Sequence, residues 1–183
     1  MPTSPLDGVL AAAAKGEAWA LRQLYDDLSP AVFAYLRARG AREPEDLTSD
    51  VFLAVFPRLA TVTGGAAGLR TLLFSVAHAR LVDDLRRRSR RPDTVPFEAV
   101  TDHRTTASAE DEALAAHSVD EVRRLIGELP ADQRDVLLMR LVGDLTVDQV
   151  AGVMERSPGA VKQLQRRGLL ALRERLSASG VPV

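Results

Sequence analysis

Cysteine is absent from this 183-residue chain. That excludes a disulfide framework, a thiolate zinc site and a cysteine nucleophile. Histidine occurs three times, at His78, His103 and His117, with no pair at ligand spacing on one helix, so no metal site is expected. Aromatic residues make up 4% of the chain against 46% hydrophobic residues in all, so its cores must be built from Leu, Val and Ala. No apolar run approaches the roughly 20 residues of a membrane span. The N-terminus lacks the charged-then-apolar plan of a signal peptide. These absences predict a soluble cytoplasmic protein. No nucleophile–base pair and no phosphate-cradling loop is evident. The adjacent acids Asp83 and Asp84 point apart on a helix and cannot share a substrate. The chain therefore reads as a non-enzyme with no cofactor and no small-molecule substrate.

Lysine is nearly missing as well: Lys15 and Lys162 are the only two, so the positive charge is arginine. The formal net charge of −1 conceals segregation. Arg80–Arg91 carries six arginines against Asp83 and Asp84, a local +4, and Val153–Val183 carries six basic residues against Glu155 and Glu174, again +4. Acids dominate Glu43–Asp50 and Asp93–Glu121. Basic patches on an acidic body fit local binding to nucleic acid.

The stretch Leu145–Leu176 reads as a helix-turn-helix. Thr146 is an N-cap, and Val147, Val150, Ala151 and Met154 recur at helical spacing. Ser157 caps the second helix, with Pro158 at its first position, where no N–H is missed. The expected inward stripe is Val161, Leu164, Leu169, Leu172 and Leu176. The other face carries Lys162, Gln163, Arg166, Arg167, Arg173 and Arg175. Glu155 stands where many such turns carry glycine, which predicts a wider or less regular turn. Such a helix suits a major groove; a merely solvated helix face is the alternative.

Taken in order, the chain predicts an all-α protein of two small helical domains joined by a flexible linker. Residues 1–16 form a flexible N-terminal segment, with helix possible over Val9–Ala14. A first domain spans 17–91. Its first helix runs from Glu17 to about Arg39, with Trp19 opening the apolar stripe, a break at Ser29-Pro30 and Gly40 as its stop. An acidic helix starts at Glu43 and ends near Pro57 or Leu59. A glycine-containing loop, Thr61–Gly68, precedes a long helix from about Leu69 to Ser89. Residues 92–112 have linker composition. A second domain, 113–177, adds one helix ending at Leu129-Pro130 and another over Ala131–Val142, closed by Gly143, before the helix-turn-helix. A tail covers 178–183.

Two blocks together resemble one family. LPADQRDVLLMRLVGDLTVDQVAGVMERSPGAVKQLQRRGLLALRERL is similar to the C-terminal DNA-binding domain of bacterial sigma factors. EDLTSDVFLAVF, a glycine-containing loop and LRTLLFSVAHARLVDDLRRRSRR resemble their N-terminal domain. Two domains on a short tether resemble the extracytoplasmic-function (ECF) group. The resemblance covers Ala18–Arg91 and Ala113–Leu176.

The resemblance implies three interfaces. Asp46, Leu47, Ser49, Asp50, Phe52 and Leu53 would bind core RNA polymerase at its beta-prime clamp helices, and the beta flap is a second implied contact. Thr63, Gly64, Arg70, Thr71, Phe74, Ser75, His78, Arg80, Arg86 and Arg87 would bind the promoter minus-ten element, where a base held out of the stack needs a pocket with a cationic wall. From composition alone, Phe74 is as well read as core. Ser157, Gly159, Ala160, Lys162, Gln163, Arg166 and Arg167 would bind the minus-thirty-five element. The implied function is promoter recognition and opening on behalf of polymerase, under an anti-sigma factor. The alternatives are a stand-alone helix-turn-helix regulator that binds duplex DNA without polymerase, and a helical adaptor.

Overall fold

The computed structural model describes residues 4–90 and 124–178, and among these every regular element is helical. They are α1 (Pro5–Ala13), α2 (Ala18–Ala38), α3 (Pro44–Val55), a 3-10 turn (Phe56–Thr61), α4 (Gly65–Arg90), α5 (Ala131–Leu141), α6 (Val147–Val153) and α7 (Pro158–Ala178). Residues 124–127 are also helical. The expected linker at 92–112, the start of the second domain and the tail beyond Ala178 lie outside the described residues.

In the first block, α2 buries Leu24, Leu28, Val32, Tyr35 and Leu36. They meet Val51, Phe52 and Val55 of α3 and Leu69, Leu73, Ala77 and Leu81 of α4. The few aromatics cluster: Phe52 meets Tyr25 edge-on at 4.8 Å and Phe56 at 5.5 Å. Trp19, expected on the inward stripe, is 58% exposed instead, and its Nε1 donates to the Glu17 carboxylate.

The expected break at Ser29-Pro30 does not occur. Pro30 lies inside an unbroken α2. Pro30 and Asp26, whose carbonyl loses its helical donor, both lie on the exposed side, where water can take that donor's place. Burial of the opposite face on both sides of the proline holds the helix together.

The segment 1–16, expected to be flexible, is helical over Pro5–Ala13 and packs Leu10 and Ala13 inward. One carboxylate ties it down. Asp7 accepts the Ser4 N–H at the head of its own helix and, at 2.8 Å, the Ala66 N–H at the head of α4. An acid at two helix N-termini is favoured by both dipoles. The helix α4 thus starts four residues earlier than the apolar pattern implied, and the loop before it shrinks to residues 62–64.

In the second block, α5 is buried on all sides over Asp135–Met139. It is sandwiched between α7 and the first block, so a one-sided pattern could not describe it. Leu141, at the end of α5, is 66% exposed. Gly143 does not supply the left-handed residue after α5; Asp144 does, at φ 52°. Gly143 serves space instead, because a Cβ there would lie 2.8 Å from the Met139 carbonyl and from Phe74 Cζ. Most buried side chains of the two blocks join in one cluster, with Leu73 and Phe74 of α4 and Leu138, Met139 and Leu145 of the second block among them.

Candidate promoter and polymerase interfaces

The helix-turn-helix has the expected caps. Thr146 Oγ1 accepts the Gln149 N–H at 3.3 Å, and Gln149 Oε1 accepts the Thr146 N–H at 2.7 Å, a reciprocal capping box. Ser157 Oγ accepts the Ala160 N–H at 3.2 Å.

The wider turn expected from Glu155 is not formed. Glu155 takes the left-handed conformation itself, at φ 53°. The Arg156 N–H then reaches the Ala151 carbonyl at 3.0 Å and the Glu155 N–H the Gly152 carbonyl at 3.4 Å. That is the Schellman pattern usually built on glycine.

The inward stripe of α7 is corrected at one position. Leu169 is 46% exposed, and Gly168 faces inward instead, its absent Cβ leaving room for Leu137. The missing side chain lets α7 lie close on α5. It also rotates the apolar line one residue from where leucine counting put it.

The minus-thirty-five candidates therefore form one surface. Ser157, Gly159, Lys162, Gln163, Arg166 and Arg167 are exposed, and Ala160 is half-buried at the capped end. Positions 159, 162, 163, 166 and 167 follow helical spacing along one face. Four donors on a rigid helix with small residues at its leading turn have the chemistry to reach base edges and phosphates.

On α3, Asp46, Ser49, Asp50 and Leu53 share an outward face, with Leu53 70% exposed. An exposed leucine between carboxylates has the chemistry to meet a basic helix with an apolar stripe. Leu47 is half-buried. Phe52 must be removed from the contact set: it is 2% exposed, wedged between Tyr25 and Phe56, and it backs the helix from inside.

The minus-ten candidates separate into three groups. Thr63, Gly64, Arg80, Arg86 and Arg87 are exposed. Thr71 and Ser75 are half-buried and return their hydroxyls to the α4 backbone, at 2.9 and 2.8 Å. The remaining three are turned toward the second block. Arg70 pairs with Asp144 at 3.1 Å. Phe74 is 2% exposed, edge-on to Tyr35 at 5.5 Å and against Gly143. Phe74 is thus core in this arrangement, not a platform for bases.

Gly68 fixes the shape of this loop. A Cβ there would fall 1.8 Å from the Thr63 carbonyl oxygen, a backbone atom that cannot swing away. Gly68→Ala is expected to displace residues 62–64 and cost at least about 2 kcal/mol, despite the helix propensity gained. Urea denaturation of the two proteins reads this directly.

His78, the third inward residue, belongs to a polar cluster that sequence reading missed. Tyr35 Oη lies 2.8 Å from His78 Nδ1 and 2.9 Å from Asp135 Oδ1. Asp135 also receives two bonds from Arg39, from Nε and, at 3.1 Å, from Nη2. Asp135 is 2% exposed and Arg39 8%. The phenol has one proton and the carboxylate accepts it, so His78 must donate from Nδ1 to the phenol oxygen. The chain of donors therefore runs from His78 through Tyr35 to Asp135. Burial, then Asp135, hold the Tyr35 phenol well above its ordinary range.

Burial pushes the His78 imidazole below its usual 6.5, with Arg39 acting in the same sense and Asp135 and Asp132 opposing. A depressed base binds fewer protons folded than unfolded. Its contribution is present above about pH 6.5 and is lost as pH falls through that range. Wild type should lose more stability than His78→Gln between pH 7.5 and 5.5, read from urea midpoints at both values.

Comparison with known proteins bears on the family and the fold. The family model for sigma-70, region 4, matches residues 120–172. The ECF RNA polymerase sigma factor SigD of Mycobacterium tuberculosis is 30% identical over 182 residues, covering 96% of this chain and 85% of that protein. Among solved structures, the sigma factor RpoE of Bartonella quintana, in complex with the anti-sigma factor NepR, has a TM-score of 0.68 at 20% identity. It covers 85% of this chain and 96% of that one. CnrH in complex with the cytosolic domain of CnrY has a TM-score of 0.66 at 21% identity, covering 94% and 98%. At these identities the two structures speak to the fold. The capped helix-turn-helix, the all-helical architecture and a relative matched along nearly the whole chain place this protein in the ECF group of RNA polymerase sigma factors.

Proposed function

We propose that this sigma factor docks core RNA polymerase through the Asp46–Leu53 face of α3 and reads the minus-thirty-five element with Lys162, Gln163, Arg166 and Arg167. Thr63, Gly64 and the exposed arginines of α4 engage the minus-ten element, and Arg70, Thr71, Ser75 and His78 join them once the second block moves away. The division of the chain at 17–91 and 113–177 separates these tasks. Opening of the duplex follows when an extruded base is held by the α4 loop and its cations. The observation that carries this reading is the exposure of two chemically opposite faces on separate blocks, acidic with a bare leucine on α3 and cationic on α7. The complex of RpoE with the anti-sigma factor NepR supports control of this chain by such a partner.

Run-off transcription tests the reading. Purified chain added to core polymerase is expected to give discrete start sites on its own genomic promoters, absent with core alone. The full exposure of the α7 face in the free chain also favours a second reading, duplex binding without polymerase. Sequence-specific binding by the isolated chain, with no response from polymerase, would support that reading and overturn the first.

A further inference from the structure

The turn that leads into α4 has little of its own to hold its shape. Gly64 and Gly65 are consecutive, and both take the left-handed conformation, at φ 79° and 61°. Neither has a side chain, so neither can cap the helix that follows. Paired glycines also leave a backbone many alternative paths. Thr63 and Gly64, the exposed minus-ten candidates of this turn, therefore sit on backbone that needs support from elsewhere.

The support comes from another helix. Asp7 of α1 is half-buried. Its Oδ1 accepts the Ala66 N–H at 2.8 Å, and its Oδ2 accepts the Ser4 N–H at 2.8 Å. The approach is close: a Cβ on Gly65 would lie 2.5 Å from Asp7 Oδ1. Within the turn, the Gly68 N–H reaches the Gly64 carbonyl and the Val62 N–H the Leu59 carbonyl, both at 3.2 Å. Those two bonds are local, whereas Asp7 ties the turn to an element outside it.

The tie is itself anchored. Helix α1 buries Leu10 and Ala13, with Leu6, Val9 and Ala12 packed against the core, and it lies against α2 and α4. The carboxylate is thus held in place before any DNA arrives. A turn set in advance loses less freedom on binding and yields less to a wrong base.

We propose that Asp7 is a positioning residue for minus-ten recognition: α1 reaches across through this carboxylate and sets the turn that presents Thr63 and Gly64. The inference rests on the minus-ten reading of that turn given above. It gives a task in promoter reading to a helix that carries no candidate DNA-binding residue.

Two variants test it in the holoenzyme. Asp7→Ala removes both acceptor oxygens, and Asp7→Asn keeps one. Asp7→Ala should lower discrimination between promoter fragments with matched and singly mismatched minus-ten elements by about three- to tenfold, the shift expected from a lost helix cap. Asp7→Asn should show a smaller loss. Discrimination at the minus-thirty-five element and affinity for core polymerase should stay within about twofold, as for distant sites. A residue that only supports the fold would lower all three together. Unchanged minus-ten discrimination in folded Asp7→Ala, or equal loss at both elements, would overturn the proposal. If Asp7→Ala fails to fold by circular dichroism, the same outcomes are read from Asp7→Asn.

Amide hydrogen exchange in the free chain does not need the minus-ten reading. The Val62 and Gly68 N–H groups bond to backbone carbonyls and not to Asp7. In the variant they should exchange at least about threefold faster, while those of Leu36 and Ala77 keep the wild-type rate. Unchanged exchange at Val62 and Gly68 would overturn the positioning role. Faster exchange, with no minus-ten discrimination by wild type, would keep Asp7 as the holder of the turn and overturn the task assigned to the turn.

Discussion

Arg166→Ala combined with Gln163→Ala is expected to abolish discrimination at the upstream promoter element while leaving polymerase association intact. Both side chains are exposed one helical turn apart on α7, and neither supports the core. A bidentate contact from Arg to guanine or from Gln to adenine discriminates by about 1–3 kcal/mol, so losing two reduces selectivity by roughly 30-fold to roughly 25,000-fold. Competition between matched and mismatched upstream duplexes for the holoenzyme measures it. Lys162→Ala should act differently if Lys162 holds a phosphate, weakening all sequences alike and flattening the salt dependence by about one unit. Helix content should not change in any of these variants.

The second large effect is expected on the opposite block. Asp50→Arg places a cation between Asp46 and Leu53 on the outward face of α3, where the resemblance implies a basic partner helix. Like-charge juxtaposition in an interface costs several kcal/mol, enough to weaken association by 100-fold or more. Fold stability should hardly respond, since Asp50 is exposed. Fluorescence anisotropy of labelled protein titrated with core polymerase gives the affinity directly. A promoter defect of equal size in both variants, with equal loss of polymerase binding, would refute the assignment of separate tasks to α3 and α7.

Local chemistry explains what the sequence revealed. Thr146 and Gln149, or Ser157 and Pro158, lie within a few residues of each other, so caps and the helix-turn-helix can be read by inspection. The outward sets on α7 and α3 follow from helical spacing and charge. What stayed hidden is non-local or rests on competition between effects. Asp135 sits amid Val136, Leu137, Leu138 and Met139, and an acid beside a continuous apolar run is a signal of a buried partner. Naming Arg39, Tyr35 and His78 as its partners requires knowing that α5 meets α2 and α4. Gly168 outcompeted Leu169 for the inward position because α7 approaches α5 too closely for a side chain. Pro30 was tolerated because its side of α2 faces outward. Asp7 reaches a helix head 59 residues away, a relation that no window on the sequence contains.

The same non-locality divides the minus-ten candidates. The resemblance groups Arg70, Phe74 and His78 with Arg80, Arg86 and Arg87, since all lie on one helix. Tertiary packing separates them into an inner set facing α5 and the segment after it, and an outer set facing solvent.

The most direct test of two separate cationic surfaces serving one polymerase is a hydroxyl-radical footprint on a promoter recognised by the holoenzyme. Wild type should protect two patches about 25 base pairs apart, a spacing of more than two helical turns. Arg166→Ala/Gln163→Ala should erase the upstream patch alone. A full footprint from the isolated chain without polymerase, or loss of both patches together in that variant while polymerase binding is retained, would contradict the account.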